Sequence, residues 1–136
     1  MIEQAGRRQL KIVTTLDTMS RCGAVLTNAR KLAQAGAKFL YGAEIAHVDI
    51  PWGIDAQELQ LIQHVTGMSV EEVLRAATSE AGKELGMAPL GNLTAGAPAD
   101  IIAVSGDPEE NLKILEYPDL VVSGGVFVVN NFSKRP

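Results

Sequence analysis

A single cysteine, Cys22, is all the thiol chemistry in this 136-residue chain. That excludes an internal disulfide framework and fits a reducing compartment. Cys22 stands in a polar run, residues 18–23, with no thiolate-stabilising partner in the sequence, so it reads as an incidental thiol. Histidine is nearly as scarce: His47 and His64 are the only two, and they form no His-x-His pair. Positive charge is also short. Twelve Lys and Arg face 16 Asp and Glu, giving a net charge of −4 and a pI near 5.1. The basic residues are scattered pairs, such as Arg7-Arg8, Arg30-Lys31 and Lys134-Arg135, whereas a nucleic-acid or anionic-membrane surface needs them clustered. No apolar run reaches the roughly 18 residues of a membrane helix. Residues 1–10 lack the apolar core of a signal peptide. The expectation is a cytoplasmic protein with neither nucleic acid nor membrane as a partner.

What is present is ordinary globular material, 46% apolar and 21% charged, in a length that suits one domain over residues 1–136. Residues 10–16 are β-branched and apolar, and read as a buried strand. Residues 24–35 read as a helix with Val25, Ala29, Leu32 and Ala33 on one face and Gly36 as its stop. Residues 37–41 form a second apolar strand. Strand, helix and strand make a βαβ unit with parallel pairing and a right-handed crossover.

A long loop follows, and Asp55 with Glu58 has capping-box-like spacing, opening a helix that runs through His64 to Gly67. Ser69 and Glu72 form a proper capping box. Their helix carries Val73, Leu74, Ala77 and Ala81 on one side, breaks near Thr78 and ends at Leu85, before Gly86. The character then changes. Residues 91–98 are a loop, 99–104 a strand, and 106–108 a turn into a short helix ending near Leu115. Residues 120–122 and 126–129 flank Ser123-Gly124-Gly125 as a hairpin. The last six residues, 131–136, are expected to fray. The fold class is thus α/β, with a βαβα segment over 1–90 and a β-rich segment over 91–136.

Several spaced motifs resemble one family. The run AATSEAGKELGMAPLGNLTAGAPADIIAVSGDP, residues 76–108, is similar to the closing signature of metal-dependent amidohydrolases of the imidazolonepropionase, dihydroorotase and Xaa-Pro dipeptidase type. Ala77-Thr78, Leu85-Gly86, Gly91, Gly96, Ala99 and Asp100 occupy the matching places, and VVSGGVFVV resembles the family's terminal hairpin. Upstream, KIVTTLDTM, NARKLAQAG and FLYGAE resemble the seventh barrel strand, the helix after it and the eighth strand. The resemblance implies the last two βα units of a (βα) barrel, followed by a small β-rich part. It also implies hydrolysis of amide or other C–N bonds, with zinc or another divalent metal as the family's cofactor.

The departures matter as much. The family's eighth strand ends in glycine-threonine-aspartate, where this chain has Gly42-Ala43-Glu44. Trp52-Gly53 stands where a histidine-glycine often precedes the glutamate-leucine pair, here Glu58-Leu59. The family's other metal ligands, a His-x-His, a lysine or glutamate and two further histidines, have no counterpart. No metal is therefore expected for this chain alone.

Glu44 is the candidate catalytic residue, a general acid or base just past a parallel strand's C-terminal end, where α/β folds place ligands. Its extra methylene against aspartate counts against it, since errors of about 1 Å can cost ~100-fold in rate. A solvated loop carboxylate is the plainer reading. His47 and Trp52 are candidate substrate-binding residues, with packing as the alternative for His47 and an anchor over the strand ends for Trp52. Were residues 44–49 extended, His47 and Asp49 would share one face and Glu44 the other. His64 suits a helix C-terminus and the surface. Asp100 reads as a turn-holding residue.

Two functions fit. One is an amidohydrolase segment, inactive alone and completed by a polypeptide carrying the remaining barrel strands. The other is a catalytically dead, self-associating or binding module. Two parallel strands need both faces covered and leave open edges, which favours a homo-oligomer continued across a two-fold axis. The sequence fits a natural short chain and a segment of a longer enzyme alike.

Overall fold

The computed structural model describes residues 2–50 and 52–132. The chain opens with a helix the sequence pattern did not announce, α1 (Ile2–Arg7), which leads into β1 (Lys11–Val13). A second unannounced helix, α2 (Leu16–Met19), follows at once and buries Leu16. The amphipathic α3 (Val25–Gln34) returns the chain to β2 (Lys38–Leu40). Its end is set by Gly36 at φ 93°, a left-handed conformation that costs a β-carbon-free residue little. β1 and β2 pair in parallel, as the βαβ pattern requires, with Lys11 opposite Lys38, Ile12 opposite Phe39 and Val13 opposite Leu40.

α4 (Ala56–Thr66) starts at Asp55, whose side chain accepts from the amides of Gln57 and Glu58 at 3.0 and 3.3 Å. The spacing here resembles a capping box but does not make one: the Glu58 side chain turns away from the cap toward β1. α5 (Val70–Ala77) has the true box, with Ser69 Oγ accepting from the Glu72 amide and Glu72 Oε2 accepting from the Ser69 amide. The expected break falls at Thr78, φ −129° and ψ −96°, and α6 (Ser79–Glu84) follows.

One core lies under these helices. Leu16, Ala29, Phe39, Leu59, Ile62, Val65 and Val73 meet Leu112 and Leu115 from the 3-10 helix η1 (Leu112–Glu116). Beyond it lies a separate antiparallel sheet of β3 (Ile101–Ala103), β4 (Leu120–Ser123) and β5 (Val126–Asn130), in the order β3-β4-β5. The Gly124-Gly125 turn closes the β4–β5 hairpin with both residues at positive φ. Asp100 Oδ1 accepts from the Gly124 amide at 2.8 Å, the turn-holding role read from the sequence. The expected fraying does not begin at Asn131, whose amide donates to Asp119 O at 2.7 Å. Residues 133–136 lie outside the described residues. Among the described residues no helix is long and apolar enough to cross a membrane.

Candidate active site at the strand ends

The C-terminal ends of β1 and β2 are pressed together at Gly42. A β-carbon there would sit 2.4 Å from Thr14 O and 2.8 Å from Val13 Cγ1, so only glycine lets the loop leave β2 across the end of β1. The loop then turns rather than extends. The His47 amide donates to Glu44 O at 2.8 Å, and the Ile50 amide donates to His47 O at 3.1 Å. Strand-like alternation of Glu44, His47 and Asp49 is thereby overturned: consecutive turns place these side chains, not a pleat.

Glu44 is exposed at this end. His47 is half-buried, and its Nδ1 accepts from the Asp49 amide at 3.3 Å, so the neutral ring carries its hydrogen on Nε2. His47 and Asp49 line a cavity of about 260 Å³ with Asp17, Thr18, Arg21 and Ile50. Arg21 reaches Asp49 at 3.5 Å. Burial raises the Asp17 carboxyl above its ordinary value, the charges of Asp55 and Asp49 add to this, and Arg21 and Lys113 oppose it. Glu44 does not line that cavity.

Trp52 is 88% exposed, so it does not anchor the loop over the strand ends. Ile50, 5% exposed, is the residue that does. His64 is exposed at the end of α4, with Nε2 2.8 Å from Arg30 Nη2. Cys22 is free and exposed.

A second cluster escaped sequence reasoning. Thr14, Asp55 and Glu58 are 4%, 2% and 1% exposed. Glu58 Oε1 lies 2.5 Å from Thr14 Oγ1, and Oε2 accepts from the Asp17 amide at 2.7 Å. Thr14 Oγ1 also lies 3.2 Å from Leu40 O, and the Asp55 amide donates to Tyr41 Oη at 2.8 Å. Burial raises Glu58 above its ordinary value, Asp55 adds to that, and the hydrogen bonds from Thr14 and the α2 backbone oppose it. Burial raises the Tyr41 phenol as well, against the hydrogen bond from Asp55. One signal could have found Glu58. It sits four residues before Ile62 and seven before Val65, on the helix face that turns into the core.

The arrangement sets an exposed carboxylate, Glu44, on the loop after β2, a small polar cavity that Glu44 does not line, and a buried hydrogen-bond cluster that meets the cavity at Asp17. It does not fit a hydrolytic metal centre, which needs three or more ligands and an open position. Among the described residues no group of three or more His, Cys, Asp or Glu is placed to hold an ion.

The whole stretch has counterparts. The family model described as Amidohydrolase family matches residues 3–129. The ochratoxinase of Aspergillus niger is 37% identical over 90 residues, covering 65% of this chain and 18% of that protein. The chain thus spans about a fifth of the curated relatives it matches. The crystal structure of A. niger ochratoxinase superposes with a TM-score of 0.59 at 29% identity, over 77% of this chain and 24% of the other. A putative prolidase from Bifidobacterium longum gives 0.69 at 26% identity, over 93% and 34%. A further amidohydrolase structure gives 0.71 over 95% and 37%, a likeness of fold alone at 24% identity. The match takes in β1 through β4 and all of β5 but Asn130, and the chain belongs to the amidohydrolase family.

Proposed function

We propose that this chain forms the strand-end face of a hydrolase acting on amide or other C–N bonds, with Glu44 as its proton-transferring carboxylate. The observation that carries this is position: Glu44 is exposed directly beyond β2, on a loop fixed by the Gly42 contact with β1. Glu44 would take the proton from an attacking water and return it to the leaving amine as the C–N bond breaks, work typically worth 10²–10⁴-fold. His47 and Trp52 flank the approach, the first through its Nε2–H and the second through an open indole face for stacking. The ochratoxinase and prolidase relatives support the same bond class. Because these residues do not fit a metal centre, the activity depends on a polypeptide that supplies further strands and groups. Among the described residues β1 pairs on one edge only, and beside it lies an apolar groove of about 310 Å³ that includes Ile12, Val13, Met19 and Val25.

The second reading is a self-associating module without catalysis. It is favoured by β5, where Val126, Phe127 and Val128 stand 66%, 65% and 64% exposed in a row.

The test is amine release from dipeptides and N-acyl amino acids. It compares the chain alone with the chain co-expressed with the remaining strands of a relative, with mass read by light scattering and metal by elemental mass spectrometry. Activity confined to the co-expressed form, falling ~100-fold in Glu44→Gln, is the expected result. Activity indifferent to Glu44→Gln removes the catalytic assignment. Inactive homodimers in both preparations leave the second reading.

A further inference from the structure

Glu58 raises a question of hydrogen counting that the hydrolase reading does not touch. Thr14 Oγ1 has two oxygen neighbours, Leu40 O at 3.2 Å and Glu58 Oε1 at 2.5 Å, and a threonine hydroxyl has one hydrogen to give. Leu40 O can only accept. If Thr14 donates to it, the hydrogen between Oγ1 and Oε1 must come from Glu58. The other carboxyl oxygen, Oε2, is already an acceptor for the Asp17 amide. With Glu58 ionised, the Thr14 hydrogen is taken by Oε1 and its contact to Leu40 O carries none.

The surroundings point the same way. Glu58 is 1% exposed, and among the described residues it has no ion pair. The titratable groups around it are Asp55 at the start of its own helix, Asp17 on α2, Tyr41 at the end of β2 and Glu116 on η1. Lys113 and Arg21, the nearby cations, act on Asp17 instead. A buried carboxylate among carboxylates, with no cation, is the costly state, and such a group takes up a proton.

We propose that Glu58 is carried in the folded protein as a neutral carboxylic acid that donates to Thr14 Oγ1, which in turn donates to Leu40 O, and that this chain positions the loops leaving β1 and β2. Glu58 is a positioning residue: it touches neither cavity nor solvent. It binds α4 to the end of β1 through Thr14 and to the first turn of α2 through Asp17. Through Thr14 it reaches β2. The loops so held carry Asp17, Thr18 and Arg21 on one side and Glu44 and His47 on the other. Burial raising the Glu58 carboxyl agrees with the hydrogen count.

Glutamine reproduces the neutral acid. In Glu58→Gln, Nε2 donates to Thr14 and Oε1 accepts from the Asp17 amide. The experiment follows the side-chain carboxyl carbons of the 136-residue chain by NMR across pH, with Glu58→Gln identifying the Glu58 signal by its loss. Exchange protection of the Asp17 amide is read in parallel. The Glu58 signal should stay at its protonated position as pH rises past the ordinary carboxyl value of 4.5. Asp17 protection should be kept within about twofold in Glu58→Gln and fall at least tenfold in Glu58→Ala. A Glu58 signal that titrates at the ordinary 4.5 overturns the proposal, as does a Glu58→Gln protein that loses Asp17 protection as fully as Glu58→Ala. Should Glu58→Ala not fold, the wild-type titration and Glu58→Gln still decide. Failure here leaves Glu44 untouched, because its role is read by amine release.

Discussion

The two sheets of this molecule are built on opposite terms. β1 and β2 are three residues each, yet in β2 Phe39 and Leu40 are 2% and 7% exposed, with Phe39 in one core with α3, α4 and α5. β1, expected as a buried strand, has no buried residue and leaves Val13 66% exposed at the sheet's edge. β3, β4 and β5 are as long or longer and paired in antiparallel, with one register shift between Val121 and Val122, yet none of their residues is buried. Their order comes from turns and backbone bonds: Gly124 to Asp100, Asp119 to Ala103, Asn131 to Asp119. Pairing makes a strand, but coverage makes it stable, since an open hairpin in water is marginal at best.

The sharpest way to break this contrast is to remove the same side chain from each sheet. Phe39→Ala should cost about 3–5 kcal/mol in urea unfolding, the range for a buried phenylalanine, whereas Phe127→Ala should stay under about 1 kcal/mol. An equal loss at Phe127 would mean that another surface covers β5 in solution. Next in size is Thr14→Val, which leaves a buried acid without its partner and should cost about 1–3 kcal/mol. Ser69→Ala removes the capping box and should cost about 1 kcal/mol in the same measurement.

pH sharpens the comparison further, because the covered half alone holds a buried acid. The folded-state value of Glu58 is raised above its ordinary 4.5, so the native state holds the proton more tightly than the unfolded chain. Its contribution is complete below that ordinary value and is lost as pH rises through the folded value. The urea midpoint of wild type should therefore fall relative to Glu58→Gln as pH climbs above 4.5. The smallest effect is expected at the surface: Arg75→Ala, breaking the exposed i,i+4 pair with Glu71, should cost a few tenths of a kcal/mol.

Local chemistry was legible in the sequence. The Ser69–Glu72 box, the break at Thr78 and the Gly124-Gly125 hairpin each depend on residues within a few positions of one another, and the parallel pair of Lys11 with Lys38 follows from the strand-helix-strand order alone. What escaped depends on distant partners. α2 is only four residues long, too short to form on propensity, and its first turn is held by a carboxylate 41 residues away. Glu58 looked like half of a capping box because its true partner, Thr14, lies 44 residues back. Of the candidate site, Glu44 lies exposed in a turn past Leu40, the last residue of β2. The turns that set His47 in the cavity with Asp49, and the exposure of Trp52, follow from loop geometry that no periodicity encodes.

The contact between position 42 and the Thr14 carbonyl has a practical consequence for redesign. The loop bearing Glu44 takes its starting point from main chain resting on main chain, so its side chains are not what holds its base in place. Residues 44–49 can then be diversified in a library, to search for new substrates, without moving the strand ends beneath. Position 42 is the one letter such a library has to leave alone.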